Sequence, residues 1–263
     1  MTTGLKDRVA LVAASSAGLG RAVAEGLAAE GAHLALCSRN PQRIEEVAQA
    51  IRGAHGVRVF ARAFDVTDAA AVADFVAAVQ AEFGRLDVCV TNAGGPPAKP
   101  FASTTMEEWR AAVELNLLSH VSFAKAVLPI MQQARWGRFL MITSVSVKQP
   151  IDGLVLSNTV RGAVPGLVRT LANEYGPYNI LINSVGPGYT RTDRLAELAR
   201  VKALAQGVTE QAAYNDWTRG TALGRVAEPR EFADAVVFLA SERAGYITGQ
   251  NLLVDGGFYK GTA

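Results

Sequence analysis

Seven short apolar runs, each separated from the next by a longer stretch with apolar residues at helical spacing, constrain this chain more than any other feature. The runs lie at residues 9–13, 33–37, 57–64, 86–91, 138–143, 180–185 and 252–254. A strand covered on both faces reads as a continuous apolar run, and strands that alternate with helices are the mark of a parallel sheet crossed by helices. The pattern therefore predicts an α/β fold with seven parallel strands. Helix starts agree with it: Asn40-Pro41 and Thr67-Asp68 have the form of an N-cap entering a first turn, and Thr105 with Glu108 has capping-box spacing.

Composition removes several function classes. Of the 263 residues 49% are hydrophobic and 19% charged, which is the balance of a folded globular chain and leaves little for a disordered tail. A formal net charge of +2 supplies no electrostatic footprint for nucleic acid or an anionic membrane. No run approaches the roughly 20 apolar residues of a membrane span, and the polar residues 1–8 give the expectation of no signal peptide. Cys37 and Cys89 both fall in strand runs, so two buried free thiols in a reducing cytoplasm are expected. His33, His55 and His120 lack metal-ligand spacing, so no metal is expected.

Between the first run and the first helix stands Ala13-Ala14-Ser15-Ser16-Ala17-Gly18-Leu19-Gly20. Glycines at such a turn let the backbone approach a pyrophosphate, which then sits on the free N–H groups of the helix N-terminus. This loop resembles the Thr-Gly-x-x-x-Gly-x-Gly of the short-chain dehydrogenase/reductase family, with the first glycine replaced by Ala14. If the turn requires a positive φ there, alanine costs about 1 kcal/mol or more; if φ is negative the change is nearly neutral. The resemblance continues through Asp65-Val66, Asn92-Ala93-Gly94, Ser144, Pro187-Gly188, Thr190 and the late Asp255-Gly256-Gly257. It spans residues 5 to about 257, is similar in overall pattern to 3-oxoacyl carrier-protein reductases, and implies a doubly wound Rossmann-type sheet with helices on both faces in one domain over residues 1–263.

For a nucleotide, the resemblance implies a site made of Ala14, Ser15, Ser16, Gly18, Leu19 and Gly20 around the pyrophosphate. Asp65 and Val66 would hold the adenine, Asn92, Ala93 and Gly94 would line the ribose, and Pro187, Gly188 and Thr190 would meet the nicotinamide. At the end of the second run the chain reads Ser38-Arg39-Asn40, with no carboxylate to accept from a free 2′-OH. Arg39 can instead pair with a 2′-phosphate, which favours NADP(H) over NAD(H). The C-terminal segment implies a homotetramer by the same resemblance.

The reaction centre is where the pattern breaks. Relatives place a proton-transferring Tyr-x-x-x-Lys thirteen residues after a Ser, whereas this chain reads Ser157-Asn158-Thr159-Val160-Arg161 after Ser144. Asn116 and Ser144 remain where the family has its helix Asn and substrate-holding Ser. A phenol can be tuned from a pKa near 10 toward neutrality, but an aliphatic hydroxyl cannot, so Ser157 alone is a poor proton donor. Arg161 can carry charge and bind ribose hydroxyls or a carboxylate, yet it does not release a proton. Pro165 removes the N–H that would bond the Arg161 carbonyl, which predicts a local kink. Lys148, Asp152, Tyr189 and, more remotely, His120 are candidates for the missing acid/base role.

Residues 190–227 form a long helical and polar insertion after the sixth strand, in position to cover the crevice at the strands' carboxyl ends as a lid. Three functions fit: an NADP(H)-dependent oxidoreductase acting on a carbonyl or alcohol with an atypical centre, a cofactor-binding pseudoenzyme or assembly protein, and a non-redox lyase or isomerase. All take a small-molecule or protein partner rather than a nucleic acid or membrane.

Overall fold

The structure is a computed structural model and describes residues 2–262. Its seven strands are β1 (Val9–Val12), β2 (His33–Ser38), β3 (Val59–Ala63), β4 (Val88–Thr91), β5 (Gly137–Ile142), β6 (Ile180–Pro187) and β7 (Asn251–Val254). They form one sheet in the order β3-β2-β1-β4-β5-β6-β7, and every pairing is parallel. All seven expected strands are present; β3 and β4 are shorter than the runs that announced them.

Helices cover both faces, as a buried parallel sheet requires. On one side α1 (Gly18–Ala29), α2 (Pro41–His55) and α10 (Pro229–Ala240) supply Val23, Leu27, Ile44, Ile51, Phe232 and Val236 to the core. On the other, α3 (Ala69–Phe83), α5 (Ser119–Ala134) and α7 (Val164–Tyr175) supply Phe75, Val79, Phe123, Val127 and Val168. Caps explain several starts. Asn40 accepts from the Arg43 N–H at 2.8 Å, Asp68 accepts from the Ala70 and Ala71 N–H groups, and Thr105 and Glu108 satisfy each other's backbone at the start of α4 (Met106–Val113).

A π-helical turn at Glu114–Leu118 joins α4 to α5. The joined segment Met106–Ala134 is long and apolar enough to cross a membrane by length and composition, although no single run suggested one. Its apolar side chains, Phe123, Val127, Leu128 and Met131 among them, are buried in the sheet core, which accounts for its hydropathy. At the kink expected near Pro165 the helix is interrupted: α6 (Val155–Arg161) ends before Gly162 and Ala163, which keep right-handed helical dihedrals, and Pro165 sits in the first turn of α7, where its missing N–H has no intrahelical role.

Chain order reverses between β1 and β4, so a crevice opens beyond their carboxyl ends. The segment after β6 contributes α8 (Asp193–Gln206) and α9 (Glu210–Gly220), packed on Leu195, Ala199, Ala213, Trp217 and Val226 apart from the sheet core. A parallel bridge between Thr190 and Ala227 closes its base.

Candidate active site

The loop after β1 turns sharply at Ala14, whose φ is 49°. Alanine therefore occupies the left-handed region, the costlier of the two cases that its substitution for glycine left open. Tertiary contacts hold it there. The Ala14 carbonyl accepts from Asn92 Nδ2 at 3.4 Å, and a Cβ at Gly20 would collide with that same carbonyl oxygen. Ser15 is fully buried and ties the loop to β2, its N–H donating to the Cys37 carbonyl at 3.1 Å. Ala14, Gly20 and Asn92 thus meet across the point where strand order reverses.

This loop is suited to a diphosphate. Most of the other long helices begin under a side-chain cap, whereas Ala17, at the start of α1, offers no side-chain hydrogen bond, so the first-turn N–H groups keep their capacity for an anion. Leu19 packs against the core beneath it. At the end of β2, Arg39 is exposed. Asp65 turns back on its own segment, accepting from the Thr67 N–H at 3.0 Å and the Thr67 hydroxyl at 2.9 Å, while Val66 is buried.

Beyond β4 and β5 the residues converge on one carbonyl. Asn116 Nδ2 donates to Gly94 O at 2.8 Å, and Arg161 Nη2 donates to the same oxygen at 3.2 Å. Arg161 Nη1 donates to the carbonyls of Ile142 and Thr143, each at 3.3 Å. The guanidinium clamps the ends of β4 and β5, and burial, with the positive charge of Arg194, lowers its pKa to about 10. It remains a cation at neutral pH. The π turn sets Asn116 fully buried, with its Oδ1 lacking a hydrogen-bond partner among the described residues.

Ser144 follows β5 and is partly exposed; its Oγ accepts from the Ser146 N–H at 3.1 Å and keeps its own proton to donate. Ser157 lies on α6 and is 8% exposed. Among the described residues no hydrogen bond joins Ser144 to Ser157. Gly188, after β6, donates its N–H to Val254 O at 2.9 Å, and Thr190, buried, donates its hydroxyl to the Gly188 carbonyl at 3.4 Å.

The four further acid/base candidates are dispersed. Lys148 holds its ammonium 5.5 Å from the centre of the Tyr259 ring, and Asp152 is exposed in a turn. Tyr189 stacks on Trp217 and meets the edge of Phe258; burial, then Asp216 and Asp152, push its phenol up to about 12, away from the range useful near neutrality. His120 is fully buried with Nδ1 2.6 Å from the Thr91 hydroxyl, and burial together with the Arg161 charge pulls its pKa down to about 3.

A family model described as enoyl-(acyl carrier protein) reductase matches residues 13–259. The chain belongs to the short-chain dehydrogenase/reductase family. It is similar to a short-chain reductase protein NovJ of Streptomyces niveus, 35% identical over 96% of this chain and 94% of the relative. It is also 34% identical to the 3-oxoacyl-[acyl-carrier-protein] reductase FabG of Escherichia coli, over 97% of this chain and 98% of the relative. Among solved structures, L-sorbose reductase from Gluconobacter frateurii, complexed with NADPH and L-sorbose, superposes with a TM-score of 0.94 at 32% identity, covering 99% of this chain and all of that one. The chain is thus an oxidoreductase of the short-chain type with this family's doubly wound sheet.

One residue at this site drew no attention in the sequence. Arg194, in the first turn of α8, donates Nη2 to the Pro96 carbonyl at 2.6 Å and so fastens the segment after β6 to the loop after β4. The available signal was a cation in the first turn of a helix, where the helix dipole disfavours one.

Proposed function

We propose that this protein is an NADP(H)-dependent reductase of carbonyl compounds, also able to oxidise the corresponding alcohols, whose reaction centre consists of Asn116, Ser144, Ser157 and Arg161 without a proton-transferring tyrosine. The observation that carries this reading is Ser144, which has one acceptor site taken by the Ser146 N–H and its own O–H left to donate to a substrate carbonyl. The cofactor would be held by Ala14, Ser15, Ser16, Gly18, Leu19 and Gly20 at the uncapped start of α1, with Arg39 at a 2′-phosphate, Asp65 and Val66 at the adenine, Asn92, Ala93 and Gly94 at the ribose, and Pro187, Gly188 and Thr190 at the nicotinamide. Relatives in the family support the choice, since L-sorbose reductase and actinorhodin polyketide ketoreductase were both solved with NADPH.

Bound NADPH supplies the hydride. This chain's own residues then have to stabilise the oxygen that becomes negative and let a proton reach it. Ser144 donates to that oxygen. Arg161 is held against the Thr143 carbonyl, next to Ser144 in the chain, and its fixed charge in a dry setting favours the anionic form without exchanging a proton. Ser157 is too short to occupy the place of a phenol, so water entering beside it delivers the proton. The segment at 190–227 acts as the lid, with Arg194 as its fastening.

The protein would act as a homotetramer, in keeping with two separate sets of exposed apolar residues: Phe101, Met106 and Leu118 around α4 and α5, and Phe238 with Leu252 on α10 and the edge strand β7. Two buried free thiols, Cys37 and Cys89, suit a reducing cytoplasm.

One observation favours a second reading. Three of the five guanidinium N–H groups of Arg161 are committed to backbone carbonyls, which leaves fewer for ribose hydroxyls and suits a cofactor-binding pseudoenzyme or an assembly protein. A non-redox lyase or isomerase would likewise proceed without net hydride transfer. NADPH oxidation with a panel of ketones, followed at the nicotinamide absorbance, separates these. Turnover that falls about 100-fold on Ser144→Ala supports the reductase; tight NADPH binding with no turnover supports the pseudoenzyme, and product formed at constant absorbance supports the third.

A further inference from the structure

Arg161 is 6% exposed and makes three hydrogen bonds, all to neutral backbone carbonyls. These satisfy N–H groups but leave its unit charge without a counter-ion, because among the described residues Arg161 forms no ion pair. A buried cation in that state is costly unless an anion joins it.

A second guanidinium lies on the same loop. Arg161 holds Gly94 O, and Arg194 holds Pro96 O two residues further on. Arg194 rests so closely over the intervening Gly95 that a Cβ there would lie 2.8 Å from its Nε, so Gly95 keeps the place that Arg194 fills. The two charges feel each other, since Arg194 contributes to lowering the Arg161 pKa. The N-terminal end of α8 adds its own partial positive charge beside Arg194. Against this stands one carboxylate paired to Arg194, that of Glu197 at 2.9 Å, and it is largely solvated, with 58% of its side chain exposed. The Asp216 carboxylate on α9 is already taken by Lys202 and Arg219.

We propose that the crevice accepts a carbonyl substrate bearing a carboxylate, bound by the partly exposed guanidinium of Arg194 at the lid, with Arg161 as the fixed charge behind it. The inference rests on the reductase reading for the reacting carbonyl, and adds the class of substrate. The cofactor's own anions are accounted for elsewhere in that reading, the diphosphate at α1 and the 2′-phosphate at Arg39, which leaves the substrate as the source of an anion at the ends of β4 and β5. A carboxylate matches the planar fork of a guanidinium, and Arg194 is 30% exposed, able to leave Pro96 O for a charged acceptor.

The test uses the full-length protein saturated with NADP⁺, so that binding is measured by calorimetry without turnover, and with NADPH for rates. Acetoacetate is compared with methyl acetoacetate, and dihydroxyacetone phosphate with dihydroxyacetone. The expected result is acetoacetate binding at least about tenfold more tightly than its ester, a preference that falls below about twofold in Arg194→Gln and is largely kept in Arg194→Lys. Equal binding of acid and ester, no binding of either, an unchanged preference in Arg194→Gln, or a preference confined to the phosphate would overturn it. If the acid is preferred but NADPH is never consumed, the reductase reading fails and the carboxylate site stands. If both are reduced equally well, the reverse holds.

Discussion

Asn116 and Arg161 donate to a single oxygen, the carbonyl of Gly94, at 2.8 and 3.2 Å. One comes from a π turn between α4 and α5 and the other from the last turn of α6, so this carbonyl ties two helices to the end of β4. A carbonyl has two lone pairs and can satisfy both donors. Arg161 is thereby part of the framework around the crevice.

Because a lysine ammonium cannot reach three carbonyls in the geometry of a guanidinium fork, Arg161→Lys is expected to lose about 2 kcal/mol of stability. Denaturant unfolding of the two proteins measures it. An unchanged midpoint would mean that the three hydrogen bonds contribute nothing net.

Restoring the phenol tests the proton path. Ser157→Tyr combined with Arg161→Lys is expected to raise ketone reduction by about 100-fold over the native protein, the scale of a positioned general acid. Steady-state rates at saturating NADPH decide the matter, and no gain despite intact cofactor binding would place the limitation elsewhere.

Ala14 holds a φ of 49° that glycine adopts without strain. Ala14→Gly should therefore stabilise the protein by about 1 kcal/mol and raise Tm by about 2 °C, less whatever the unfolded chain gains in freedom. Differential scanning calorimetry reads this directly, and a drop in Tm would refute a strained loop.

His120 gives a pH dependence of defined sign. Its folded pKa of about 3, set by burial and then by Arg161, lies below the 6.5 of an unfolded histidine. Between these values the unfolded chain binds a proton that the folded protein refuses, so stability falls as pH drops, by up to about 1.4 kcal/mol per unit. The contribution is flat above pH 6.5. His120→Leu should flatten the acid slope of a stability profile over that window, and parallel profiles for the two proteins would contradict the assignment.

Arg39 is exposed at the carboxyl end of β2. Arg39→Asp is expected to weaken NADPH binding by about 10- to 100-fold and to improve NADH, since a carboxylate accepts from a free 2′-OH and repels a phosphate. Titrations of both nucleotides by intrinsic fluorescence would show it; equal loss for the two would instead indicate general damage.

The seven strands, their parallel sense and several of the helix starts were legible in the sequence because each depends on local information. A strand buried on both faces must be apolar throughout, and caps such as Asn40, Asp68 and Thr105 act within three residues of themselves. The resemblance of residues 13–20 to the family's glycine loop was likewise carried by a short stretch of sequence. Where a side chain goes once it leaves its own helix was not. The sequence marked Arg161 as a cation that would never release a proton, but only the packed ends of β4 and β5 decided that it spends both Nη atoms on carbonyls of Ile142, Thr143 and Gly94. It offered two outcomes for Ala14, and contacts with Asn92 and Gly20 selected the strained one. Arg194 was marked by no more than its being a cation in the first turn of a helix, and its place beside Pro96 was not legible, because that approach joins two segments distant in the chain. Periodicity, capping and turn chemistry are short-range and can be read in order along the chain. Charge placement in the crevice is a sum over groups that meet only after the sheet has formed.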